Sequence, residues 1–92
     1  MDSILQQEKE CFFCGSRVGL ESHHCIHGIS NRKNSEKYGL KVWLCQNHHT
    51  GNDGVHRRRE KDLELIKLSQ KAFEAQYGDR DAFRAIFGKS WL

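Results

Sequence analysis

A stretch of 92 residues, 37% hydrophobic and 29% charged, with a net charge of +3, is expected to form one folded domain rather than a disordered segment. No run of about 18 apolar residues exists, which excludes a spanning helix, and the opening MDSILQQEKE has neither the basic nor the apolar region of a signal peptide. The mild basic balance is compatible with a polyanionic partner without requiring one.

In chain order, residues 3–9 are expected to form a short helix, with Ser3 as N-cap and Gln6 at the capping-box position. Cys11-Phe12-Phe13-Cys14-Gly15 reads as a tight metal knuckle. Leu20 to Ile26 is expected as a strand. Residues 27–39, with Gly28, Asn31, Asn34 and Gly39, read as a loop. Leu40 to Leu44 alternates Leu40, Val42 and Leu44 against Lys41 and Trp43, the period of a half-buried strand. A helix begins at Gln46 and is interrupted by Gly51 and Gly54. Residues 60–77 carry Leu63, Ile66, Phe73 and Tyr77 on one helical face, broadened by Leu65, Leu68 and Ala72. Gly78 suits the position after that helix. Asp79 then caps a last helix with Phe83, Ile86 and Phe87, which Gly88 ends.

The four cysteines lack an export signal, so a reducing, cytoplasmic setting is expected, where disulfides are rare and close cysteine pairs point to metal. Cys11-x-x-Cys14 and Cys45-x-x-His48 form two knuckles. Zinc takes four soft or borderline ligands in a tetrahedron, and a two-residue spacer lets one turn present two of them. The bland alternative is a set of ordinary buried thiols. Cys25 could replace His48 as the fourth ligand, but its flanks suggest a small side chain inside a strand.

His23 and His24 end the first strand, His48 and His49 follow the second, and His56 precedes Arg57-Arg58-Arg59. So small a core cannot hold all these rings as satisfied polar groups. Phosphodiester hydrolysis needs a deprotonated water and neutralisation of charge on the phosphorane and leaving oxygen. An imidazole can act as base and a divalent metal can neutralise charge, so one histidine should be free while others bind metal.

Cys11-x-x-Cys14, Glu21-Ser22-His23-His24, Leu44-Cys45-x-x-His48-His49 and the later His56 together resemble the zinc-containing HNH endonucleases. The stretch from His24 through Cys45 is similar to small phage and prophage HNH proteins, some related to phage recombination-enhancing nucleases. The tail, Phe73-Glu74-x-x-Tyr77-Gly78 and Ile86-Phe87-Gly88-Lys89, has the same likeness. The resemblance implies an α+β fold: a small zinc-stabilised ββα-metal module over about 11–59, then two C-terminal helices over 60–88, all one domain across 1–92. It implies His24 as general base and His23, His49 and His56 as ligands of a catalytic Mg²⁺, Mn²⁺, Ni²⁺ or Zn²⁺. Cys11, Cys14, Cys45 and His48 would hold structural Zn²⁺.

Two features depart from the family. His49 and His56 are separated by Thr50-Gly51-Asn52-Asp53-Gly54-Val55 rather than one helical turn, which leaves Asp53 as an alternative ligand. Residues 39–44 contain no Asn, so Asn31 is the favoured central Asn, a brace for the loop carrying His24, with Asn34 the other candidate. His27 reads as a loop or structural residue. Arg57 or Arg58 is placed to polarise the scissile phosphate, and Arg32, Lys33, Lys37 and Lys41 could add phosphate contacts. The expected partner is DNA, read with little sequence preference. The apolar C-terminal surface, with Trp91, could serve a homodimer or a phage recombination or packaging protein. The competing class is a zinc-finger-like binding module without chemistry, which would leave His23, His24, His49 and His56 idle.

Overall fold

The computed structural model describes residues 2–92. The order of elements is β1 (Glu21–His24), α1 (Ile29–Tyr38), β2 (Lys41–Leu44), α2 (Gln46–His49), α3 (Arg59–Gln76) and α4 (Arg80–Phe87). The result is a small α+β fold in which β1 and β2 form a two-stranded antiparallel sheet. No helix among the described residues is long and apolar enough to cross a membrane.

The register pairs Glu21 with Leu44, Ser22 with Trp43, His23 with Val42 and His24 with Lys41. Paired residues share a face of a sheet and neighbours alternate. His23 therefore lies on the buried face with Val42 and Leu44, while His24 lies on the other with Lys41 and Trp43.

Two apolar clusters hold the fold. One gathers Cys11, Cys25, Val42, Leu44, Val55 and Leu65 under the sheet. The other gathers Ile26, Leu40, Ile66, Phe73, Phe83 and Phe87 between the sheet and the C-terminal helices. α3 joins them, because its neighbours Leu65 and Ile66 enter different clusters. Burying each of these large side chains contributes roughly 1.5–3 kcal/mol. The expected α4 caps are both present: the Asp79 carboxylate accepts from the Ala82 amide, and Gly88 ends the helix in the left-handed region.

Three expectations are corrected. Residues 3–9 do not form a helix. Ser3 Oγ does accept from the Leu5 and Gln6 amides, but the Gln6 side chain accepts from the Trp43 amide at 2.8 Å. The Phe12 amide donates to Trp43 O and the Ile4 amide to Gly39 O. The N-terminal segment is thus spent on covering the outer edge of β2, which would otherwise present unpaired backbone groups. The strand expected over 20–26 is limited to Glu21–His24.

Residues 27–39 are also not a loop, because they contain the ten-residue helix α1. Its almost wholly polar sequence buries only Ser35, so no apolar stripe announces it. Gly39, read as a loop residue, ends it with φ 72°, its amide reaching the Ser35 and Glu36 carbonyls. Asn31 and Asn34 sit on this helix and donate to the Phe87 and Ile86 carbonyls at 3.1 and 3.3 Å, which satisfies the end of α4.

Candidate metal centres

Four ligand atoms converge where the two knuckles meet. Cys11 Sγ lies 3.7 Å from His48 Nδ1, Cys45 Sγ 3.3 Å from the same nitrogen, and Cys14 Sγ 3.7 Å from Cys45 Sγ. A tetrahedron with zinc–sulfur bonds of about 2.3 Å and a zinc–nitrogen bond of about 2.0 Å has edges of about 3.5–3.8 Å. Cys11, Cys14, Cys45 and His48 therefore have the spacing of a zinc site. Their donor chemistry agrees. Burial works to raise the Cys11 thiol, but backbone hydrogen bonds at Cys45, Cys14 and Phe13 outweigh it and hold it below the usual range. At Cys14 a backbone hydrogen bond at Ser16 pulls downward, yet burial and the neighbouring thiols of Cys11 and Cys45 leave it raised. Thiols this crowded ionise together when a dication neutralises them.

Cys25 lies outside this group. It is fully buried in the apolar cluster, and burial pushes its thiol up to about 12 despite a hydrogen bond from Ser69. The expected burial holds, though Cys25 lies just past the end of β1 rather than inside the strand.

A second group forms on the buried face of β1. Ligand atoms of His23, His49 and His56 all lie within 4.8 Å of one another. β1 supplies His23, α2 supplies His49, and the turn after α2 returns the chain so that the His56 amide bonds His49 O. Gly51 and Gly54 make this return feasible. A Cβ at Gly54 would sit 2.4 Å from His49 O, and one at Gly51 would sit 2.6 Å from Asn47 Cα. The excursion between His49 and His56 thus ends with both rings in one place, 4.8 Å apart at their centroids.

His23 is 4% exposed, and its Nε2 is buried with no hydrogen-bond partner. A buried nitrogen left so costs about 1–3 kcal/mol unless something occupies it. Burial, then the neighbouring rings of His49, His27, His56 and His24, push His23 down to about 3, so it is neutral and free to ligate at neutral pH. His56 is lowered chiefly by burial and then by His49 and His27. Glu21 Oε1 stands 3.0 Å from His49 Nδ1, which leaves Nε2 as the ligating atom. The donor set fits a divalent cation of borderline hardness.

His23, His24, His49 and His56 line one cleft of about 480 Å³ together with Ser22, His27, Ile29 and Arg32. His24 belongs to neither ligand group. Its Nε2 is buried, without a hydrogen bond, and 3.6 Å from Oε1 of Glu36, whose Oε2 pairs with Lys41. Asn31 does not line the cleft. Its amide donates to His27 O at 2.9 Å, so it braces the turn that follows His24. Arg57 lines a neighbouring cavity of about 320 Å³ with His27, Val55, His56, Arg59 and Asp62, and the arginine in the histidine cleft is Arg32. Asp53 is engaged by Arg58 and Asn47 and stands outside the histidine group.

Sequence reasoning missed Glu21 as a partner of His49 and missed Asp62 altogether. Glu21 could have been found from register, since it lies two residues before His23 and so on the same face. Asp62 sits in the first turn of a helix, a place where acids are ordinary, so nothing marked it as buried.

No family model, curated protein or solved structure matches this chain.

Proposed function

We propose that the chain is a metal-dependent endonuclease of the HNH, ββα-metal kind, hydrolysing phosphodiester bonds in DNA. β1, β2 and α2 supply the ββα frame, and α1 is carried between the strands. The single observation that supports this reading most is the different company of two adjacent histidines. Both carry a buried Nε2 without a hydrogen-bond partner, but only His23 belongs to the three-histidine group, while His24 lines the same cleft from the opposite strand face and joins no ligand group.

In this reading His23, His49 and His56 hold the divalent ion, with Glu21 fixing the His49 ring. Bound there, the ion supplies Lewis-acid stabilisation of charge on the phosphorane and on the leaving oxygen. His24 turns Nε2 toward Glu36, which leaves Nδ1 to take the proton of the attacking water. Arg32 in the cleft wall orients the phosphate by charge-assisted hydrogen bonds, and Arg57, beyond His56, contacts the next phosphate along the strand. Asn31 positions the turn at His27. The Cys11–Cys14–Cys45–His48 zinc binds the N-terminal knuckle to the start of α2 and so fixes His49, the residue after its own ligand.

The test is conversion of supercoiled plasmid to nicked or linear product by the zinc-loaded protein with added Mg²⁺, Mn²⁺ or Ni²⁺. Metal-dependent cutting that EDTA stops supports the reading. No cutting with any of these ions, on single-stranded or duplex DNA, overturns it.

A further inference from the structure

Asp62 is a carboxylate at 6% exposure in the first turn of α3. Its Oδ2 accepts from Arg59 Nη1 at 3.0 Å and its Oδ1 lies 2.6 Å from His27 Nε2. Burying a carboxylate is costly unless it is paired in this way. One of the partners, however, is a metal-ligating residue type that touches the histidine group. Ligand atoms of His23, His27 and Asp62 all lie within 4.8 Å of one another, as those of His23, His49 and His56 do. The rings of His23 and His27 are 5.7 Å apart, as are those of His23 and His56.

We infer that His27 and Asp62, with His23, form a second divalent-cation seat abutting the first, the two sharing His23. The inference rests on the proposal that His23, His49 and His56 bind metal, and it goes beyond that reading in placing another seat outside its ligand set. Within the His23, His27 and Asp62 group, His23 brings a buried Nε2 that no protein hydrogen bond occupies and that either seat could use. Access is provided, because the smaller cavity opens beside Asp62 and shares His27 and His56 with the histidine cleft. Two imidazoles and one carboxylate select Zn²⁺, Co²⁺ or Ni²⁺ over Mg²⁺ or Ca²⁺, which take mostly oxygen ligands. With His23 common to both, one ion fills one seat at a time. Loss of His49 and His56 therefore moves the ion to the second seat rather than releasing it.

Co²⁺ titration of the full chain tests this, with thiolate charge-transfer absorption reporting the cysteine site separately. The wild type binds two Co²⁺. His49→Ala/His56→Ala still binds two, and adding Asp62→Asn leaves only the cysteine-bound one. A double variant that binds just one overturns the second seat and leaves the first intact. A wild type that binds just one overturns both. If the double variant fails to show the wild-type circular dichroism, the cycle is run on single variants. Asp62→Asn then lowers histidine-site Co²⁺ affinity about tenfold or more in His56→Ala and less than about threefold in the wild type, where the first seat is complete. Equal losses in the two backgrounds overturn the inference.

Discussion

Glu21 Oε1 lies 3.0 Å from Nδ1 of His49, so a carboxylate of β1 orients an imidazole of α2 toward His23, two residues along the same strand. Carboxylate–histidine–metal arrangements of this type fix the tautomer and raise the basicity of the ligand. Glu21→Gln should weaken histidine-site metal affinity by about 10- to 100-fold and leave the cysteine-bound zinc in place. Isothermal titration with Zn²⁺ or Ni²⁺ checks this. Unchanged affinity would mean that the pair is a surface contact only.

The cysteine cluster should carry most of the stability of this small domain. Cys45→Ser or removal of zinc by a strong chelator should abolish cooperative thermal unfolding, because binding energy at such a site is folding energy. Cys25→Ser should retain one tightly bound zinc and lose only about 1–3 kcal/mol, the cost of a buried hydroxyl. Zinc stoichiometry and urea melts separate the two. Loss of zinc from the Cys25 variant would contradict the ligand set.

Gly54 holds the return of the chain from His49 to His56. Its Cβ would meet His49 O at 2.4 Å, so Gly54→Ala must open the turn. The expected cost is about 1–3 kcal/mol in stability, with a larger loss of metal affinity at the histidine group than at the cysteines. Parallel titrations of the two sites measure it.

His23 gives the fold a pH dependence of known sign. Burial first, and then the surrounding histidines, lower it from 6.5 to about 3. The unfolded chain therefore takes up a proton that the folded chain refuses. The stability tied to neutral His23 is fully present above about pH 6.5 and is lost as pH falls toward about 3. With the histidine group metal-free, urea unfolding should show stability dropping from about pH 6.5 downward, before acid strips the zinc thiolates. His23→Gln should flatten that slope. Parallel curves for the two proteins would contradict the assignment.

Much of the frame was legible from the sequence because its signals are local. Cys11-x-x-Cys14 and Cys45-x-x-His48 carry their spacing with them, Leu40, Val42 and Leu44 alternate visibly, and Asp79 and Gly88 bracket α4 with their own cap chemistry. The elements that escaped reading depend on tertiary partners. α1 has no apolar stripe and is held by Asn31 and Asn34 reaching the end of α4, a contact across more than fifty residues of chain. Gln6 looked like a capping residue and was instead taken by the edge of β2. At the site, residue type pointed to a histidine metal group and the resemblance named His23, His49 and His56 for it, but the burial of Asp62 beside His27 depends on how α3 packs. The expected cleft arginine shifted from Arg57 to Arg32 because α1, unforeseen, brings Arg32 there.

In the proposed function His24 moves a proton while its neighbour His23 holds metal. The most direct measurement is plasmid cleavage by His24→Ala, alongside metal content at both sites. Wild-type metal occupancy is expected, with a rate lowered by about 10²- to 10⁴-fold. A variant that keeps its metal and cuts at the wild-type rate would contradict it.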